Sequence, residues 1–250
     1  MSENAEAAPY YVQLKEALAQ PGCAFCRLLT NAADSYIDSI LWEMVNDPRT
    51  REELNAARGY CHQHAWLMAR EGSALGVAII LNDIIQTELN VLKNRKSGAA
   101  ASLGKFLPSL DISRVQPEMV KLANVLGPQS TCPACVKLES TQKHLVNALA
   151  KYVGSDTDSL AEDYRASAGL CLPHFRLALT AKASKAELNA LVDAQRSVWM
   201  RLRVDLDEFI RKNDYRFRSE KFGDEADSWL RALEAVSGAP PKNSSNRSLL

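Results

Sequence analysis

Apolar residues recur along this chain at intervals of three and four, the spacing of helices with one inward face, and no stretch alternates in the way a strand does. Tyr10 to Ala19 reads as a first short helix, ended by the breaker pair Pro21-Gly22. The next runs from Ala24 to about Val45 and stops ahead of Asp47-Pro48, because proline disfavours a helical residue before it. Arg49 to Arg58 follows, with Gly59 as its C-cap, and then a brief helix from His62 to Arg70. A longer helix, about Ser73 to Lys93, carries Leu75, Ala78, Leu81, Ile85, Leu89 and Leu92 on one face, an apolar stripe that needs covering.

Between residues 95 and 115 the pattern lapses into a Gly/Ala/Ser-rich linker, and beyond it the same order returns. Pro117 to Leu126 is a short helix, broken by Gly127-Pro128. Cys132 opens another that reaches about Tyr152. Ser159 to Ala168, a short helix ending at Leu179, and a long one from Ser184 to Lys212 complete the second series. That long helix carries Leu188, Val192, Trp199, Leu202, Leu206 and Phe209 on one face. Asp224 to Val236 forms a last helix ahead of a polar tail expected to be disordered. The expected organisation is a first helical repeat (10–94), a linker (95–115), a second repeat (116–215), a C-terminal helix (216–238) and a tail (239–250).

Cysteine placement turns this repetition into chemistry. Cys23-x2-Cys26 is followed after 34 residues by Cys61-x2-His64, and Cys132-x2-Cys135 after 35 residues by Cys171-x2-His174. No cysteine is left over. Each copy supplies three thiols and one imidazole, a Cys3His donor set. The copies lie 109 positions apart at the CxxC pairs and 110 at the CxxH pairs, which argues for duplication. A CxxC at a helix start gains from the unsatisfied N–H groups there, which favour thiolate. The intervening segment of each copy has room for a hairpin that folds back, so the expectation is that each CxxC meets the CxxH of its own repeat. The fold class is therefore all-α: duplicated helical hairpins with two Cys3His metal sites, arranged as a pseudo-twofold bundle.

Zinc suits three thiolates and a neutral imidazole, while an iron–sulfur cluster also takes four such ligands, so both stand as alternatives. Four protein donors leave no open position on a tetrahedral ion, so the sites read as structural. His62 has Leu172 at the corresponding place in the second copy and reads as a surface or supporting residue. His144 has no counterpart and reads as a surface or core residue. The sequence shows no nucleophile–base pair, phosphate loop or paired-carboxylate motif, which favours a non-enzymatic scaffold or binding module.

Charge excludes more than it identifies. Thirty basic and thirty acidic residues balance, which disfavours broad nucleic-acid affinity. The acidic N-terminus lacks the basic start and apolar run of a signal peptide, no apolar run spans a bilayer, and paired cysteines suit a reducing compartment, so a cytoplasmic protein without a membrane is expected. The densest basic patch is Arg211 to Lys221. Its Arg211, Lys212, Tyr215, Arg216, Arg218 and Lys221 are the candidates for an anionic ligand such as RNA or a phospho-group. The competing reading pairs these cations with Asp214, Glu220, Asp224, Glu225 and Asp227. The partner expected is an unknown protein or such an anion, with the chain a monomer or a homodimer.

These motifs together resemble a bacterial family of unknown function, DUF6062. The resemblance rests on Cys132-Pro-Ala-Cys135, Gly169-Leu-Cys171-x2-His174, and Phe209-Ile-Arg-Lys-Asn-Asp-Tyr-Arg-Phe-Arg218 followed by Ser228-Trp229-x-Arg231-Ala232. With the first copy at Cys23, Cys26, Cys61 and His64 it covers about residues 10 to 238. It implies metal binding on a helical fold and no established activity. The first copy carries Ala24-Phe25 in place of Pro133-Ala134 and Tyr60 in place of Leu170, and keeps all four ligands.

Overall fold

A computed structural model of the chain describes residues 3–93, 117–155, 159–217 and 219–240, with side chains from Tyr10 onward. The expected linker at 95–115 and all but the first two residues of the expected tail lie outside these. The described residues form eleven α-helices and no strand. The first five are α1 (Glu3–Leu18), α2 (Ala24–Glu43), α3 (Pro48–Ala56), α4 (His62–Ala65) and α5 (Ala74–Lys93). The same order follows in α6 (Pro117–Leu126), α7 (Pro133–Val153), α8 (Ala161–Ala166), α9 (Leu172–Ala178) and α10 (Lys185–Lys212), and α11 (Ser228–Ser237) is added at the end.

Local chemistry explains most of the boundaries. Asp47 caps α3 by accepting the Thr50 N–H at 2.7 Å, and Pro48 occupies the first helical position, where its missing N–H costs nothing. Ser184 and Glu187 form a reciprocal capping box at the start of α10. Three predicted elements differ. The first helix begins at Glu3, ahead of the expected Tyr10. The helix from His62 to Arg70 is a single α-turn continued by a 3-10 turn, Trp66–Met68, and α11 begins at Ser228 because Asp224 to Asp227 are spent in turns.

The chain divides into two compact units, a terminal unit (1–31 and 139–250) and a central unit (32–138). Both boundaries fall inside helices, within α2 and α7. In the terminal unit α10 is the spine, packed by α8 and α11, with α11 also on α9. Its core holds Leu14, Phe25, Leu149, Tyr164, Leu170 and Leu191. Burying a large apolar side chain of this kind contributes about 1.5–3 kcal/mol each. In the central unit α5 packs on α3 and α6 over a core of Ile37, Ile40, Leu54, Met68, Ile80 and Ile84.

The long helices correct one expectation. The stripe Leu75, Leu81, Ile85, Leu89 and Leu92 of α5 faces solvent, and the buried stripe is one position over, at Ile80 and Ile84. Apolar residues run almost all round this helix, so periodicity alone offers two candidate faces. The carboxylates decide between them. Asp83 takes hydrogen bonds from Arg51 (3.1 Å) and Asn55 (2.7 Å) of α3, and Glu88 pairs with Arg58 at 2.7 Å. Those hydrogen bonds hold the Asp83 carboxyl below its usual range. On α10 the buried face is Leu191, Ala194, Gln195 and Val198, with Val192 of the predicted stripe exposed.

Candidate metal centres

Each cluster is assembled from a helix start and a turn, and each crosses the repeats. In the terminal unit Cys23 precedes α2, Cys26 lies in its first turn, Cys171 is the N-cap of α9, and His174 sits one turn in. His174 Nδ1 lies 3.1 Å from Cys171 Sγ, 3.4 Å from Cys26 Sγ and 3.5 Å from Cys23 Sγ, and the sulfurs of Cys26 and Cys171 are 3.8 Å apart. In the central unit Cys61 is the N-cap of α4 and Cys132 and Cys135 flank the start of α7. His64 Nδ1 lies 3.2 Å from Cys61, 3.4 Å from Cys135 and 3.6 Å from Cys132, with Cys61 and Cys135 sulfurs 3.7 Å apart. In each cluster all four donor atoms lie within 4.8 Å of one another.

The expectation that each CxxC meets its own repeat's CxxH is therefore wrong, and helix lengths give the reason. From Cys26 to its end α2 carries the chain about 26 Å, and the nine residues of α3 recover only about 13 Å at 1.5 Å per residue. In the second repeat α7 has 21 residues and α8 only six. The chain therefore reaches each CxxH at the far end of the long helix, and the CxxC of the other repeat supplies the remaining ligands.

The geometry fits one ion per cluster. With metal–sulfur bonds of about 2.3 Å and a metal–nitrogen bond of about 2.0 Å, a tetrahedral ion sets its sulfurs about 3.8 Å apart and each about 3.5 Å from the nitrogen. The observed edges fall close to both values. Without a cation, three acidic groups crowd one point. Burial and the neighbouring Cys132 push the Cys135 thiol up to about 12, while Cys61 is drawn down by hydrogen bonds that outweigh its burial. Burial also lowers His64, which keeps the imidazole neutral and available as a ligand. At His174 burial opposes the charged ring, but hydrogen bonds from the ring to Cys171, Cys23 and Cys26 outweigh it and push the ring up to about 12. A dication relieves this competition by taking all three thiolates at once.

The surroundings of the two clusters differ. Cys23 and Cys171 are buried, whereas Cys61, Cys132 and Cys135 are all part-exposed. In the terminal unit Gly169 (φ +65°) turns the chain into Leu170, whose N–H donates to Gln195 Oε1 at 3.0 Å and to the Tyr164 hydroxyl oxygen at 3.2 Å. Gln195 Nε2 returns a bond to the Leu170 carbonyl at 3.2 Å, and the Tyr164 hydroxyl donates to Gln195 Oε1. A Cβ on Gly169 would stand 3.0 Å from that amide. This buried clamp fixes the backbone beside Cys171. Burial raises the Tyr164 phenol, so it stays a donor. The N–H of Ala239 donates to Cys26 Sγ at 3.4 Å, so the chain beyond α11 crosses the cluster. The clamp had one signal in the sequence, a glutamine inside an apolar stripe; the Ala239 contact had none. In the central unit Leu54 and Ile84 stand where Tyr164 and Gln195 stand in the other, and Ile84 Cδ1 meets Gly59 (φ +90°) instead.

The remaining candidates are placed as follows. His62 is exposed, and His144 stacks on Tyr10 at 5.9 Å; neither joins a cluster. Arg211 pairs with Glu208 and Glu220 and lies 4.5 Å over the Phe217 ring. Lys212 reaches Glu225 at 2.6 Å, and Arg216 reaches Asp214 at 2.7 Å. Tyr215 and Lys221 are exposed, and Arg218 lies outside the described residues.

Residues 7–243 match the family of unknown function DUF6062, and the chain belongs to it. No curated protein and no solved structure matches the chain.

Proposed function

We propose that this member of DUF6062 is a zinc-stapled helical scaffold or binding module, in which two closed four-ligand ions hold helix starts of one repeat against turns of the other. The observation that carries this reading is the close set of sulfur–sulfur and sulfur–nitrogen edges. A four-iron cluster would spread its cysteine sulfurs to on the order of 6 Å, each on a different iron, and a two-iron cluster would separate its ligands into two pairs. A single ion with borderline-soft character suits three thiolates and one imidazole at the shorter spacing. Cys23, Cys26, Cys171 and His174 would hold one ion, and Cys61, His64, Cys132 and Cys135 the other. Their chemistry there is structural: the fourth position is filled by protein, so neither centre offers a site for water or substrate.

The basic segment supports a scaffold more than an anion site. Its cations at Arg211, Lys212 and Arg216 are each matched by a carboxylate, so an RNA or phospho-ligand would have to displace an intramolecular partner first. Elemental analysis of protein produced with iron and zinc both available tests the proposal. Two zinc per chain in a colourless sample is expected. Iron with matching sulfide in a coloured sample would overturn it.

A further inference from the structure

The solvent face of α5 is largely apolar. From Ala74 to Leu92 every exposed side chain is apolar or a neutral amide. Leu75 is 74% exposed, Ile85 57%, Leu89 44% and Leu92 42%. Both carboxylates of this helix are committed on the opposite side, to Arg51, Asn55 and Arg58.

The duplicated helix is an internal control. Ser73 and Ser184 each offer the first helical carbonyl, to Val77 and Leu188, which sets α5 and α10 in register. In that register the buried Ile80 and Ile84 match Leu191 and Gln195. The exposed positions then compare directly: Asn82 with Asp193, Ile85 with Arg196, Asn90 with Arg201, and Leu92 with Arg203. This solvent face thus carries these four charged residues among exposed Val192, Met200 and Val204 in the second repeat, and a single terminal cation, Lys93, in the first. Depletion of charge with enrichment of large apolar groups is what the centre of an interface requires.

We infer that this face docks a second copy of the chain, making a reversible homodimer across α5. Charge argues for a like partner: between Ala74 and Leu92 the strip has no ionisable group to satisfy, its one cation, Lys93, standing at the end, and its polar members Asn82, Gln86 and Asn90 each offer a donor and an acceptor, so an identical face can pair them. Spacing argues likewise. Leu75, Ala78, Asn82, Ile85, Leu89 and Leu92 follow a strict three–four alternation, the seam of a two-helix contact, with one asparagine of the kind that sets register. By length and hydropathy α5 would suit a bilayer. However, its inward face carries two ion pairs to α3 and its neighbouring turn, and its outward face has one cation, Lys93 in the last turn, rather than the lysines and arginines that rim a membrane-surface helix. The strip is about 26 Å long and about 10 Å wide, roughly 260 Å² per copy. That is below the ~800 Å² of a standard interface, so the dimer is of the weak, reversible class.

Sedimentation equilibrium of the metal-loaded full chain over a wide concentration range tests this. The average mass should rise from 27.6 kDa toward twice that value. Ile85→Arg combined with Leu89→Arg should weaken association at least tenfold while leaving helix content and metal content unchanged. Arg196→Ala, on the solvent face of α10 and outside the seam, should alter it less than threefold. If the double variant fails to fold, Asn82→Asp alone, which sets like charges across the seam, should still weaken association. A chain that stays monomeric throughout would overturn the inference, as would a dimer indifferent to the charged variants. Co-sedimentation with phosphatidylcholine vesicles abolished by the same variants would assign the face to lipid instead and overturn it equally.

Discussion

The two candidate metal centres share one donor set, a CxxC with a CxxH, yet the cysteines of one are more deeply buried than those of the other. In the terminal unit two of the three cysteines are buried, the backbone beside Cys171 is held by the Tyr164–Gln195 clamp, and the Ala239 N–H points at Cys26. In the central unit no cysteine is fully buried, and the clamp positions are Leu54 and Ile84. The contrast shows that duplication preserved the ligands and the glycine turns while the supporting residues diverged from hydrogen bonding to apolar packing. Hydrogen-bonded support orients ligands and tunes a centre; apolar support fills space without directing it. The terminal centre should therefore be the stiffer and the slower to exchange.

Removing a ligand should have the largest effect and should separate the units. Cys171→Ser strands two thiolates and an imidazole in a buried site. It should cost on the order of several kcal/mol of stability and abolish cooperative melting of the terminal unit in calorimetry. Cys61→Ser should lose one metal with a smaller fall in melting temperature, because its partners are already part-exposed. Equal losses would remove the distinction drawn above.

Exchange of the clamp residues should have the next effect. Gln195→Ile removes the bonds Gln195 makes with the Leu170 N–H, the Leu170 carbonyl and the Tyr164 hydroxyl, and should destabilise by about 1–3 kcal/mol. The reciprocal Ile84→Gln buries an amide beside Leu54, which offers it nothing, and should cost a similar amount. Chemical denaturation of each variant, with metal content measured alongside, checks both. If Gln195→Ile were neutral, the clamp would have no energetic role.

Metal release should then fall into two phases. A strong chelator, or a thiol reagent at low dose, should empty the central centre first, and mass mapping of modified cysteines should find Cys61, Cys132 and Cys135 labelled before Cys23 and Cys171. Labelling in the opposite order would show that burial does not govern access.

The smallest effect concerns the Lys212–Glu225 pair of the terminal unit. Lys212, with a backbone N–H from Gly223, pulls the Glu225 carboxyl down to about 2. A depressed carboxyl stabilises the fold above its unfolded value near 4.5, and that contribution disappears as pH falls from there through about 2. The stability gap between wild type and Lys212→Met should therefore be constant near neutral pH and shrink across that acid window. A gap that widened on acidification would contradict the pairing.

Much of this was legible beforehand, for physical reasons. Prolines at 48, 117, 133 and 173, the Ser184 cap and the glycines at 59 and 169 each constrain backbone in a way that survives any tertiary context, so helix starts and turns could be read. The donor set could be read because ligand chemistry needs specific side chains. Ligand pairing was harder, since 34 residues are enough chain to return; only the lengths of α2 and α3 show that it does not. The buried face of α5 was misread because leucines and isoleucines surround that helix, and its orientation is decided by Asp83 reaching α3 and Glu88 reaching Arg58 in the turn after it. The support at Ala239 depends on the chain end crossing a centre more than two hundred positions away, which no local pattern encodes.

Pairwise removal of ligands tests the central claim of crossed centres most directly. Cys61→Ser with Cys132→Ser strikes one centre twice if the repeats exchange ligands, and Cys61→Ser with Cys23→Ser strikes both. Elemental analysis of the two full-length variants should find one metal per chain in the first and none in the second. The reverse result, none in the first and one in the second, would show that each repeat binds its own ion and would contradict the account.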